Sequence, residues 1–216
     1  MILKSIYFNL NRDDYPNNYG YSLMLLSRHF CNYLEREVLK KTKTKTENFG
    51  RWVINLKRHP TKEIWVNTEK VLVQELAFDK EKFESTKLNN VSKYFIETFI
   101  EALERVPIEF KLPKGELIEC INRFKNSNFK NSWIHKKKLS KDRVFQTILN
   151  CELTPKNFAL DIEILKNKKS IFSKQLLKLD PDPVAYNYRF KDIIYNENKV
   201  IISSKISENL FEFNLD

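Results

Sequence analysis

The chain has 216 residues, 42% hydrophobic and 13% aromatic, enough apolar side chain to bury a core and to exclude a disordered polymer. Its formal net charge is +10, from 38 basic and 28 acidic residues. Only three glycines occur, Gly20, Gly50 and Gly115, too far apart for the glycine-rich cradle of a P-loop or dinucleotide site.

Residues 2–10 alternate well enough for a first strand. The stretch NRDDYPNNYG is a loop by its Asn, Asp, Pro and Gly content. From Tyr21 to Lys41, Leu23, Leu26, Phe30, Leu34 and Val38 recur at steps of three and four, which predicts an amphipathic helix. Lysines at its end suit the negative pole of the helix dipole. KKTKTKTENFG then reads as an exposed linker. RWVINLKR, EIWVN and KVLVQELAF read as short strands, the last two joined by a hairpin through Asn67 and Thr68.

A second helix is expected over Asn89–Arg105, with Val91, Tyr94, Phe95, Phe99, Ala102 and Leu103 on one face. Pro107 stops it, and PIEFKLP reads as extended. A third helix runs from Lys114 to Phe124, turning Leu117, Cys120, Ile121 and Phe124 inward. After residue 142 the pattern changes. RVFQTILNC, NFALDIEIL, SIFSKQLL, VAYNYRFKDIIY, KVIISSKI and NLFEFNL are strand-like and separated by turn-rich pieces, which predicts an antiparallel meander. The expected class is α+β: a strand, a helix, strands and two further helices, then a C-terminal antiparallel β-meander. One domain over residues 1–216 accommodates this, with a sub-boundary near 142.

Cys31, Cys120 and Cys151 are odd in number and widely spaced, so they form no disulfide framework or CxxC pair, and a reducing cytoplasm is the expected setting. The N-terminus lacks a signal-peptide pattern. No run approaches the ~20 apolar residues that span a bilayer. His29 and Cys31 stand two apart on a helix and point to different faces, His59 precedes Pro60, and His135 lies among lysines. None has zinc-ligand spacing, so neither metal nor cofactor is expected.

Asp161, Glu163 and Lys166 resemble the acid–lysine pattern of a metal-dependent nuclease, but strand alternation turns Asp161 and Glu163 away from the core. Glu109 and Lys111 have the acid-x-Lys spacing without an upstream carboxylate in context. The strand-like AYNYRFK would put Tyr186, Tyr188 and Phe190 on one face, an arrangement suited to packing.

Two basic blocks remain, residues 40–62 and 122–141. The second has no acidic residue and contains SWIHKKKLSK. From it Lys125, Lys130, Lys136, Lys137, Lys138 and Lys141 are candidate partner-binding residues, and from the first Arg51, Lys57 and Arg58. Such fields attract anionic partners. The chain has 29 Lys and 9 Arg, and arginine is the better reader of phosphate and base edges. The expected function is therefore a non-enzymatic protein-binding module, of the inhibitor or immunity type, whose partner presents an acidic surface. The alternatives are a nucleic-acid binder using both blocks and an enzyme such as a metal-dependent nuclease. The lysines of SWIHKKKLSK alternatively serve only to keep a packed connection soluble, with Phe129, Trp133 and Ile134 buried.

Overall fold

The computed structural model describes residues 1–61, 64–206 and 209–215. The chain is mixed α+β and divides into two compact units, Met1–Lys130 and Asn131–Asp216.

The first unit begins with β1 (Ser5–Leu10), α1 (Asn17–Leu34), a π-helical turn over Glu35–Leu39 and α2 (Lys40–Thr42). Then come β2 (Arg51–Lys57), β3 (Ile64–Val66), β4 (Val71–Ala77), α3 (Lys80–Ser85), α4 (Val91–Arg105) and α5 (Lys114–Asn126). The sheet order is β1-β2-β4-β3. β1, β2 and β4 are mutually parallel, and only β3 runs against its neighbour. Strand alternation sends Ile6, Phe8, Leu10, Trp52, Ile54, Leu56, Leu72 and Leu76 into one core with the inner faces of α1, α4 and α5.

The polar side chain of Gln74 enters that core, and both its oxygen and its nitrogen are hydrogen-bonded. Its Oε1 accepts from Trp52 Nε1 at 3.2 Å, and its Nε2 donates to the Ala102 carbonyl at 2.9 Å. Ala102 lies in the last turn of α4, where carbonyls lack intrahelical partners. Gln74 thus ties β2, β4 and α4 together.

Two expectations in this unit change. The stretch after α1 is no exposed linker: Thr44, Thr46 and Phe49 are buried, because Leu3 N–H donates to Thr44 O and Thr46 N–H to Met1 O. PIEFKLP is not extended; Ile108–Phe110 forms a 3-10 turn that ends at Lys111 in the left-handed region. The hairpin at Asn67 forms as expected, with Asn67 Oδ1 accepting from the Glu69 and Val71 amides. Lys62 and Glu63, which end the first basic block and begin the EIWVN segment, lie outside the described residues.

The second unit contains β5 (Ser132–Leu139), β6 (Phe145–Leu153), β7 (Phe158–Lys166), β8 (Lys169–Leu179), α6 (Pro183–Tyr186), β9 (Ile193–Asn196), β10 (Lys199–Ile202) and β11 (Phe211–Asn214). β5 to β8 form an antiparallel meander, and β9 to β11 form a separate three-stranded antiparallel sheet. The sequence stretch before residue 142 joins this unit because Ser132–Leu139 pairs with β6. Phe158, Leu160, Ile162 and Ile164 are fully buried on the inner face of β7, as alternation requires.

VAYNYRFKDIIY is not one strand. Asp182 caps a single helical turn by accepting from the Val184 amide at 2.8 Å, and Pro183 occupies its first position. Tyr186, Tyr188 and Phe190 therefore do not share a strand face. The Tyr186 and Phe190 rings lie parallel to that of Phe158, at 4.0 and 5.9 Å, while Tyr188 is 54% exposed.

Candidate interaction surface

SWIHKKKL is an edge strand with a bulge at His135, between Ile134 and Lys136. Charged side chains and bulges on an edge discourage pairing with another chain. The bulge also sets which way each lysine faces. Lys136 Nζ lies 2.7 Å from Asp192 Oδ1, and Lys138 Nζ donates to the Ile193 carbonyl at 2.8 Å. Asp192 is held below the usual carboxylate range, chiefly by its hydrogen bond from Lys136. Tyr195 Oη pairs with Thr147 Oγ1 at 2.8 Å and donates to the Lys138 carbonyl at 3.3 Å. Two of the three consecutive lysines thus fasten β5 to the start of β9.

Lys137 faces the other way. It shares the outer face of the four-stranded sheet with Ile134 and Leu139, which are 58% and 49% exposed. The burial expected for Ile134 is absent, because the strand turns it away from the core; Trp133 and Phe129 are half-buried. Trp133 packs toward Phe158 at 6.2 Å. The register continues the outer face across the sheet in rows: Ile134, Asn150, Asp161, Gln175; then Lys137, Ile148, Glu163, Ser173; then Leu139, Gln146, Leu165, Ser170. Asp161 and Glu163 lie on this outer face as alternation predicts. Among the described residues no three His, Cys, Asp or Glu side chains are grouped to hold a metal.

The remaining candidate cations are dispersed. Lys125 and Lys130 are exposed at and after the end of α5, in the first unit, so the 122–141 block is split between the units. Arg51 is exposed at the start of β2. Lys57 pairs with Glu75 at 3.2 Å, and Glu75 also accepts from the Thr61 amide at 2.7 Å. The Arg58 guanidinium lies 5.7 Å from the centre of the Tyr15 ring, within cation–π range. Lys57 and Arg58 are therefore engaged within their own unit.

Lys141 belongs to a group that the sequence reading missed. The β5–β6 turn carries Lys141 and Arg143, and the β7–β8 turn carries Lys166, Lys168 and Lys169. A meander brings alternate turns to the same end of a sheet, and here the Asn167 amide donates to the Val144 carbonyl at 2.9 Å, joining the two turns. All five cations are exposed. The one carboxylate between them, Asp142, accepts from Ser140 Oγ and the Val144 amide. In the sequence, Lys141 stood out only as part of the 122–141 block, and the KNKK of residues 166–169 lies beyond that block.

The three thiols and the His29 imidazole are enclosed, whereas His59 and His135 are exposed. Cys31, Cys120 and Cys151 are buried; burial pushes the Cys31 thiol up to about 12 and the Cys120 thiol up to about 11. His29 Nδ1 lies 3.0 Å from Ser92 Oγ, and burial lowers its pKa to about 4. A cleft of about 340 Å³ opens at the end of β1 beside Asn9, Arg12, Tyr15 and Tyr21. Among the described residues its lining holds no carboxylate, histidine or thiol. Among the described residues no helix is long and apolar enough to cross a membrane. No family model matches the chain, no curated protein matches it, and no solved structure matches it.

Proposed function

We propose that this chain is a non-enzymatic protein-binding module that acts by covering a surface of its partner, in the manner of an inhibitor or immunity protein. The observation that carries this reading is the outer face of the β5–β8 sheet. Ile134 and Leu139 stand exposed there beside half-buried Ile148 and Leu165, with Lys137, Asn150, Asp161 and Glu163 among them. Aliphatic anchors interspersed with polar groups are what a protein interface uses. The occupant is a protein with an acidic rim, since the cations bordering this face are exposed and those at the tip have no ion-pair partner among the described residues. A nucleic acid fits less well, because the exposed apolar groups on this face are aliphatic and give bases nothing to stack on.

The test is affinity purification from the native host at low salt, comparing the natural chain with an Ile134→Asp/Leu139→Asp variant. Each recovered protein is then purified and titrated directly. The expected result is a protein partner bound in stoichiometric amount by the natural chain and at least tenfold more weakly by the variant. Both positions are exposed, so the variant should keep its circular dichroism spectrum. Recovery of nucleic acid alone, or equal binding by both chains, rejects the reading.

A further inference from the structure

We infer that the joined β5–β6 and β7–β8 turns form a carboxylate-reading extension of the outer sheet face, and that they engage an acidic, leucine-bearing stretch of a protein partner. This rests on the protein-binding reading above and adds the partner's chemistry.

Four strands about 4.8 Å apart and about eight residues long, at ~3.4 Å per residue, make a face of roughly 500 Å². A stable interface takes about 800 Å² from each partner. That accessible area exceeds the flat footprint of this face, so a border that continues the face adds usable surface. The end holding Lys141, Arg143, Lys166, Lys168 and Lys169 is continuous with the row Leu139, Gln146, Leu165, Ser170.

No ion pair engages these five cations among the described residues, whereas Lys136 has Asp192 and Lys57 has Glu75. Asp142 makes no ion pair with them among the described residues; its carboxylate accepts from Ser140 Oγ and the Val144 amide and sets one negative charge against five positive ones. The tip therefore keeps an unbalanced positive field next to apolar side chains.

Composition decides between anionic partners. Four of the five cations are lysines, which act as point charges, while phosphate and base edges favour the arginine fork. The one ring at the tip, Phe145, is half-buried and has the Lys166 amine 5.1 Å from its centre. No open aromatic face is left there for a base. Leu139 and Leu165 instead offer contacts to aliphatic side chains of a protein segment.

The probe is a 15-residue peptide alternating Glu or Asp with Leu, set against a control with Gln and Asn in the acidic places and against a 15-nucleotide mixed-sequence DNA. Amide resonances of the full chain are followed during each titration, and the natural chain is compared with a Lys141→Glu/Lys168→Glu variant of unchanged circular dichroism. The expected result is that the acidic peptide shifts resonances within residues 139–144 and 165–170. It should bind at least tenfold tighter than the control peptide, and charge reversal should remove that advantage. Shifts centred elsewhere, an unchanged affinity in the variant, no binding, or tighter binding of DNA each overturn the inference. If the tip fails but Ile134→Asp/Leu139→Asp still abolishes binding of the native partner, the protein-binding reading stands without this extension. If neither change affects that partner, both are lost.

Discussion

Arg28 and Glu35, seven residues apart, form a buried ion pair of two hydrogen bonds, 3.1 and 3.0 Å long. Together they close the open edge of the first sheet. β1 is an edge strand, and its Ile6 amide donates to Glu35 Oε1 at 3.0 Å while Arg28 Nη1 approaches the Ile6 carbonyl at 3.5 Å. The π-helical turn begins at Glu35, where its extra residue changes the side-chain register relative to α1. The Tyr7 ring lies 5.1 Å from the Arg28 guanidinium. Glu35 and the neighbouring hydrogen bond hold Arg28 protonated, above its ordinary value, against the desolvation that opposes it.

Glu35→Gln should therefore cost about 3–5 kcal/mol, because it keeps an acceptor for Ile6 but strands a buried guanidinium without its counter-charge. Urea unfolding measures it. Adding Arg28→Met should restore part of the loss, since the two residues act as a unit. A double variant less stable by the sum of the single effects would show that the pair is not coupled.

Gln74 makes a similar prediction in the core. Gln74→Leu fills a similar volume but leaves the Trp52 indole N–H and the Ala102 carbonyl without partners. Each unsatisfied buried group costs ~1–3 kcal/mol. The expected loss is about 2–6 kcal/mol in denaturant unfolding, larger than an ordinary substitution at a partly exposed position in the same strand.

His29 sets a pH dependence whose sign follows from its environment. The folded state holds the ring neutral, with a pKa of about 4, while an unfolded chain titrates near ~6.5. Between those values the unfolded state binds the extra proton. The stability His29 contributes is thus complete above about pH 6.5 and is lost as pH falls toward 4, by up to ~1.4 kcal/mol per pH unit. In His29→Gln that portion of the pH–stability profile should flatten. An unchanged slope would assign the acid sensitivity to other groups.

The buried thiols give a direct readout of the same packing. Cys31, Cys120 and Cys151 should resist a thiol reagent in native buffer and react together, three per chain, once the protein is unfolded. Fast labelling of one cysteine in native buffer would reveal a local opening of its unit.

Local periodicity made α1, α4, α5 and most strands legible, because burial on one face leaves a three-and-four or a two-residue pattern. Antiparallel pairing was legible at the Asn67 hairpin and in the C-terminal meander, but the parallel pairing of the first sheet was not. The parallel partnership of β1 with β2 depends on α1 covering the connection, and no local pattern encodes the β1-β2-β4-β3 order. VAYNYRFKDIIY has the aromatic and β-branched content of a strand, yet Asp182 and Pro183 supply a helix start at the same place. The Lys141, Arg143, Lys166, Lys168 and Lys169 group escaped because its halves meet only through the register that sets Phe145 opposite Lys166. SWIHKKKL was read by composition, whereas its roles are decided by the bulge at His135.

That bulge yields a prediction for the three consecutive lysines. Lys136 and Lys138 are tied to Asp192 and the Ile193 carbonyl, so Lys136→Ala/Lys138→Ala should weaken the join between β5 and β9. Partly exposed pairs of this kind contribute at most about 1 kcal/mol each, so the expected effect is a small drop in unfolding midpoint. Faster hydrogen exchange at Ile193 and Tyr195 should accompany it. Lys137 has no such tie among the described residues and stands on the outer sheet face. Lys137→Ala should leave the midpoint within about 0.5 kcal/mol of the natural chain, yet slow association with an acidic protein partner, with a weaker dependence on salt. Measuring stability and association rate for both variants separates the roles. If Lys136→Ala/Lys138→Ala slows association more than Lys137→Ala does, the lysines facing β9 belong to the binding surface and the outer face does not.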